Sequence, residues 1–295
     1  MAQILSGIDL SKTMRAEMAA EVAQLKTQHN ITPGLAVVLV GDDPASISYI
    51  RGKRQACENI GLHSVEHTLA ANQPESDLLT LIDQLNSDPT IHGILVQLPL
   101  PKGFNEQKAL NALSPEKDVD GLHPVNLGRL MRGEKGFLPC TPHGVQQMLK
   151  HGNFDVSGKH VVIVGRSTLV GRPLSNILSQ KADTANATVT LCHTGTTDLG
   201  YFTRQADILI VVTGRPNTIT ADMVREGCIV IDVGVNRVPD KTRKSGYRLI
   251  GDVDYDAVSQ KASAITPVPG GVGPMTITML LYNTIWSAKR THGLA

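Results

Sequence analysis

Short runs dense in Val, Ile and Leu, bounded by glycine, alternate along this chain with longer amphipathic segments. A strand covered on both faces reads as a near-continuous apolar run, and reaching its parallel partner takes a crossover, usually a helix. The alternation therefore makes the chain α/β, built from βαβ units on parallel sheets. In the front half, residues 34–41 (GLAVVLVG) read as a buried strand, 46–60 as a helix, 65–69 as a strand, 76–85 as a helix and 91–97 as a strand, a compact three-strand unit. Residues 98–140 hold Pro99, Pro101, Pro115, Pro124 and Pro139, with short helical pieces such as 105–113, and read as a linker carrying loops. A helix at 143–150 leads into strands at 160–165, 188–192, 207–213 and 228–233, with helices at 174–181 and 222–226. This is a second, Rossmann-like parallel sheet of nucleotide-binding size.

The length of 295 residues suits two domains, each able to bury a core. The expected division is 1–138 plus 274–295 for an N-terminal catalytic domain and 139–273 for the nucleotide domain, with a C-terminal helix (275–289) returning to the first. Lys plus Arg number 28 against 27 for Asp plus Glu, so no global charge attracts nucleic acid or an anionic membrane, and any anion site is local. Aromatic residues are 3% of the chain, too few for a base-stacking platform. Cys57, Cys140, Cys192 and Cys228 form no Cys-x-x-Cys pair, which points to reduced thiols, a cytoplasmic location and no structural zinc. No membrane span or secretory segment is expected.

Residues 267–274 (PVPGGVGP) form a loop almost without side chains. Glycine admits close approach of a ligand and proline holds the path rigid, so the loop is built for what its backbone touches. A tight turn before a helix, with Pro274 at its first position, is the plainer reading.

Residues 160–173 (HVVIVGRSTLVGRP) read as strand, glycine turn and helix start, where a pyrophosphate would sit on amides at a helix N-terminus. The spacing departs from G-x-G-x-x-G. Arg166 and Ser167 beside Gly165 suit a 2′-phosphate, which the acidic residue of NAD sites would repel, and so point to NADP. The next strand ends in His193-Thr194-Gly195-Thr196, with no acid and two threonines able to bind phosphate, or simply a surface loop. Val212-Thr213-Gly214 and Asp232-Val233-Gly234-Val235-Asn236 add glycine-rich strand ends on the same edge, placed to face a nicotinamide.

In the first domain, Ile47, Ile50, Cys57 and Ile60 mark the buried stripe of the 46–60 helix, and Tyr49 and Lys53 share its flank. A lysine with its ordinary pKa near 10.4 is a poor proton acceptor at neutral pH unless burial or neighbours lower that value. Gln97, at the end of a strand in VQLPLP (96–101), offers a partner that does not pin the lysine as a cation. A solvated helix lysine is the competing reading. In KDVDG (117–121) a carboxylate could hold an amino-pyrimidinone edge; an Asx-type turn competes, and two acids fall short of a calcium site. His123 reads as a polar loop residue.

Together, Tyr49-x-x-x-Lys53, VQLPLP, KDVDG, PCTP (139–142), GRSTLVG (165–171) and TPVPGGVGPMT (266–276) make the chain resemble, over essentially its whole length, the bifunctional methylenetetrahydrofolate dehydrogenase/methenyltetrahydrofolate cyclohydrolase family. The resemblance implies NADP-dependent oxidation of 5,10-methylenetetrahydrofolate to the methenyl cation and its hydrolysis to 10-formyltetrahydrofolate. It assigns proton transfer to Lys53, its tuning to Gln97, substrate stacking to Tyr49 and pterin anchoring to Asp120, with Ser46 assisting. Val96, Leu98, Pro269, Gly270, Gly271, Val272 and Gly273 would also contact the folate, and Gly165, Arg166, Ser167, Thr194 and Val235 would hold NADP. The resemblance further implies a homodimer; no metal is expected from the cysteine spacing or from the two acids of 117–121.

Two departures stand out. Members of that family often carry a basic residue where this chain has 193–196, so phosphate binding leans on Arg166. Gly52, inside the catalytic helix, costs roughly 1 kcal/mol against alanine. The rival readings are a dehydrogenase of the same fold without the hydrolase, a non-enzymatic NADP-binding module, and an unrelated hydroxy-acid dehydrogenase. The intact Lys53 and Gln97 argue against the first, the joint presence of Tyr49, Lys53, Gln97 and Asp120 against the second, and the lack of a base signature beside the second-domain loops against the third.

Overall fold

The computed structural model describes residues 2–243 and 246–295; of the 241–246 loop, read from sequence as an extended surface segment, Lys244 and Ser245 lie outside the described residues. In chain order the elements are β1 (Gln3–Ile4), α1 (Gly7–His29), β2 (Gly34–Val40), α2 (Pro44–Ile60), β3 (His63–Leu69), α3 (Glu75–Ser87), β4 (Gly93–Val96), α4 (Glu106–Ala112) and α5 (Pro124–Arg132). They continue with α6 (Cys140–His151), β5 (His160–Val164), α7 (Gly171–Ser179), β6 (Thr188–Cys192), α8 (Leu199–Thr203), β7 (Ile208–Val211), β8 (Ile229–Asp232), β9 (Asn236–Pro239), β10 (Tyr247–Ile250), α9 (Tyr255–Val258), β11 (Ala264–Ile265) and α10 (Val272–Thr291). The chain divides into two units: Lys12–Cys140 with Ile277–Ala295, here the first unit, and Met1–Ser11 with Thr141–Thr276, the second.

In the first unit β2 runs between β3 and β4, all parallel, and every residue of β2 and β4 is buried. That full burial is why both read as unbroken apolar runs, whereas β3 (HSVEHTL), at the sheet edge, is only partly covered. Leu78, Ile82 and Leu85 of α3, spaced i, i+4 and i+7, pack on Ala36, Val38 and Val40 together with Ala109 and Leu113. The proline-rich stretch expected to be loops contains α4 and a second helix, α5, started by Pro124 and capped by His123, whose Nδ1 accepts the N–H of Val125 at 3.1 Å. Its local signals were a proline suited to a helix start and a cap that sequence reasoning seldom credits to histidine. The C-terminal helix is tied into this unit by Ser287 Oγ, donating to the His92 carbonyl at 2.6 Å, and by Lys289 with Glu21 at 2.7 Å.

The second unit holds a parallel six-stranded sheet in the order β1, β11, β8, β7, β5, β6. Four of these strands are the expected ones; β11 and β1 are two residues each, too short to show a period. Because β1 pairs with β11, residues 2–11 group with this sheet rather than with the first unit, where they were expected. The expected helix at 222–226 is a single 3-10 turn, Ala221–Met223. A β9/β10 hairpin stands apart from the sheet. All four cysteines are free and buried. Among the described residues no helix is long and apolar enough to cross a membrane.

Candidate active site

Helix α2 opens at Asp43, whose carboxylate accepts the Ser46 N–H at 2.8 Å, and closes at Gly61 in the left-handed region. Its buried stripe differs from the expected one. Ile47 is 40% exposed, while Ser46, Ile50, Lys53, Cys57 and Ile60 are buried, a regular helical face in which Lys53 occupies a core position. Ser46 and Lys53 stand where the periodicity calls for apolar residues, and that interruption was the available sign of a buried lysine. Tyr49, one turn before Lys53, remains 47% exposed, as a ring free to stack on a ligand would be.

Gln97 follows β4 directly and prolongs its ladder, donating its backbone N–H to the Val38 carbonyl at 2.9 Å. Its side-chain Nε2 donates to the Leu98 carbonyl at 2.7 Å, which turns Oε1 toward Lys53; Lys53 Nζ donates to that oxygen at 2.8 Å. The amine is thus bonded to a neutral carboxamide. The side chain of Val96 is spent in the core, leaving only its backbone for a ligand.

The segment 117–121 lies beside β4, joined by the Ile94 N–H to the Lys117 carbonyl at 2.8 Å. The turn reading of KDVDG is realised, by Asp118. Asp118 is fully buried and closes a turn, accepting the N–H of Leu122 and of His123 (3.2 and 2.8 Å) and Asn126 Nδ2 (2.8 Å). Burial lifts its carboxyl to about 6. Asp120 is only partly covered and acts on Lys53 through space. Burial lowers the Lys53 pKa and the charge of Asp120 opposes the shift; burial likewise raises Asp120, against the pull of Lys53. The two proton affinities are drawn together, a pattern that marks acid/base sites.

Sequence reasoning gave no role to two residues that hold this segment. Cys140 donates Sγ–H to the Val119 carbonyl at 3.3 Å and its N–H to the Asp120 carbonyl at 3.3 Å. Asn283 of α10, buried, donates Nδ2–H to the carbonyls of Val119 and Leu138 at 2.8 and 3.1 Å. Burial pushes the Cys140 thiol well above its ordinary pKa, so it acts here as a neutral donor. Nothing in the residue types announces these partners. A cavity of about 290 Å³ on another flank of α2, lined among others by Ile47, Arg51, Arg54 and His67, contains none of the expected site residues. Among the described residues no group of His, Cys, Asp and Glu could hold a metal ion.

In the second unit the turn after β5 is cut for glycine. Gly165 has φ 132°, and a Cβ there would lie 2.2 Å from the Val212 carbonyl oxygen; a Cβ on Gly171 would lie 1.9 Å from the carbonyl oxygen of Gly165. The N-terminus of α7 therefore abuts the turn, with no side-chain cap. Such an end accepts an anion. Arg166 and Ser167 are exposed, and among the described residues Arg166 makes no ion pair. Thr194 is exposed, and Thr196 Oγ1 accepts the His193 N–H at 2.9 Å and closes the turn. Val235, between β8 and β9, is 44% exposed.

The 267–274 loop packs against the backbone of residues 7–8. The Gly270 carbonyl accepts the N–H groups of Gly7 and Ile8 at 2.9 and 3.2 Å, and a Cβ on Gly7 would lie 1.7 Å from the Gly271 carbonyl oxygen. Part of the glycine content is therefore explained by packing against the start of α1. Helix α10 begins at Val272, three residues before the expected start, so Val272 and Gly273 lie in its first turn.

Two family models match the chain: tetrahydrofolate dehydrogenase/cyclohydrolase, catalytic domain, over residues 5–120, and its NAD(P)-binding domain over 139–292. The bifunctional protein FolD of Dehalococcoides mccartyi is 57% identical over 293 residues, 99% of each chain. The crystal structure of the bifunctional enzyme FolD, methylenetetrahydrofolate dehydrogenase/cyclohydrolase, from Campylobacter jejuni is 48% identical, covers 99% of this chain and 100% of its own, and superposes with a TM-score of 0.93. The Trypanosoma brucei dehydrogenase-cyclohydrolase, complexed with NADP cofactor and inhibitor, has the same TM-score at 36% identity, covering 99% and 98%.

Proposed function

The chain belongs to the tetrahydrofolate dehydrogenase/cyclohydrolase family, and from that premise we infer that it is a bifunctional enzyme of folate one-carbon metabolism. It oxidises 5,10-methylenetetrahydrofolate to the methenyl cation with NADP, then hydrolyses the cation to 10-formyltetrahydrofolate. The observation that carries the hydrolase reading is a buried lysine amine bonded at 2.8 Å to the neutral carboxamide of Gln97. Proton transfer by the amine is work that hydrolysis requires more than hydride transfer does, and the relatives above are named bifunctional.

The glycine cradle at Gly165 and Gly171, the uncapped start of α7 and the exposed Arg166 fit a dinucleotide phosphate, and Ser167, Thr194 and Val235 complete the cofactor set we propose. When bound, NADP accepts the hydride. The carbon that loses it sits between two nitrogens, so the product cation is delocalised and asks mainly for placement. We assign that placement to Tyr49 against the ring, to Asp120 at the amino-pyrimidinone edge, and to Ser46, Val96 and Leu98.

Hydrolysis asks for proton transfer. Neutral Lys53 takes a proton from the attacking water as the carbon–oxygen bond forms. As the resulting carbinolamine opens, the Lys53 ammonium protonates the departing ring nitrogen and the hydroxyl proton leaves to solvent. Gln97 orients the amine without holding it charged, and burial shifts the lysine toward its neutral form. Family resemblance also supports a cytoplasmic homodimer, which gel filtration and cell fractionation test. The enzymatic reading is tested by supplying methylenetetrahydrofolate with each nicotinamide and following methenyl absorbance. A rise with NADP followed by enzyme-dependent decay is expected; a rise without decay leaves only the dehydrogenase.

A further inference from the structure

The carboxyl ends of β7 and β8 meet two carboxylates to which the mechanism above gives no part. Asp232, the last residue of β8, is 2% exposed and Asp252 is 0% exposed. Asp232 Oδ1 accepts the N–H groups of Gly234 and Asp252 at 2.9 and 3.0 Å, and Oδ2 accepts that of Val253 at 2.9 Å. Asp252 Oδ2 accepts the N–H groups of Thr213 and Gly214 at 2.5 and 2.9 Å, and Oδ1 accepts from Asn236 Nδ2 at 2.8 Å. The Asp232 N–H donates to Thr266 Oγ1 at 2.7 Å, immediately before the 267–274 loop.

The surrounding backbone is shaped to these acids. A Cβ on Gly234 would lie 2.1 Å from Asp252 Oδ1, and one on Gly251 would lie 1.8 Å from Asp232 Oδ2. Among the described residues neither carboxylate makes an ion pair. Two buried acids without a cation are expensive for stability alone, and apolar packing would serve a core better. What they supply instead is charge-assisted hydrogen bonds that fix separate loops to one point.

We propose that Asp252, held by Asp232, is a positioning residue for the dehydrogenase step: it sets loops 213–214 and 233–236 in the register that meets the nicotinamide side of NADP. This rests on the reading of that sheet edge as the cofactor site. Its effect is confined to one of the two activities, because the groups assigned to hydrolysis belong to the first unit.

The test is steady-state kinetics of the full chain, with hydrolysis assayed separately on supplied methenyltetrahydrofolate. Asp252→Ala removes charge-assisted bonds and is expected to lower dehydrogenase kcat/KM for NADP at least about tenfold, mainly through KM, with hydrolysis within about twofold. Asp252→Asn keeps an oxygen toward Thr213 and Gly214 while Asn236 reverses its carboxamide to accept, so it is expected to recover most of the loss. An unchanged NADP KM in Asp252→Ala, or equal loss of both activities in Asp252→Ala and Asp252→Asn, overturns the proposal. Should only Asp252→Ala lose both activities, Asn236→Ala decides: a raised NADP KM with intact hydrolysis supports the proposal, and an unchanged KM overturns it. Failure of the cofactor-site reading shows separately, as an NADP KM that Arg166→Ala leaves unmoved.

Discussion

The Lys53 site and the Gly165 turn are built from opposite materials. Around Lys53 the chain places an amine in a core position with a partly covered carboxylate acting on it, and lets burial shift both proton affinities. Around Gly165 it removes side chains and presents backbone, a helix start and the exposed guanidinium of Arg166. The first arrangement suits a reaction that moves protons; the second suits holding a large charged cofactor by its phosphates. The difference predicts that the two activities respond to different kinds of substitution.

The largest effect is expected from Lys53→Gln, which removes the amine and leaves an uncharged side chain beside Gln97. Methenyl hydrolysis should fall at least about a hundredfold and dehydrogenase activity less, with NADP affinity unchanged. Full hydrolysis in a folded variant breaks the comparison at its root. Next, Gly165→Ala forces a Cβ into the Val212 carbonyl at φ 132° and should cost about 1–3 kcal/mol in chemical unfolding, with a raised NADP KM and near-normal hydrolysis in the folded fraction. Arg166→Ala should raise the NADP KM by about tenfold while barely changing that for NAD, because only NADP carries the 2′-phosphate. The smallest effect belongs to Gly52→Ala. A Cβ there would lie 3.7 Å from Ile277 Cδ1, an ordinary contact, so helix propensity decides and thermal unfolding should show a gain of about 1 kcal/mol.

Sequence and structure agree best where the physics is local. Strands buried on both faces were visible as apolar runs, and the βα turn at Gly165 through its glycines. Strands β1 and β11 were not, because two residues carry no period, and with them went the assignment of residues 2–11. In α2 the stripe was drawn through Ile47 by residue type, whereas the buried face runs through Ser46 and Lys53, since a site overrides the rule that cores are apolar. The Lys53 and Gln97 pairing was anticipated from chemistry. The supports were not: Asn283 reaches Val119 from 164 positions away, and Asp252 reaches Thr213 from 39. Long-range hydrogen bonds of this kind leave no spacing in the sequence.

The measurement that bears most directly on the central claim is the pH dependence of methenyl hydrolysis by the wild-type enzyme and by Gln97→Glu. If the buried Lys53 amine is the base, the rate rises with pH through an ionisation below the ordinary lysine value, because burial favours the neutral form. A carboxylate at position 97 stabilises the ammonium and should move that rise to higher pH. A profile unmoved by the substitution, or a rate that does not rise with pH, would contradict a tuned lysine at the centre of this site.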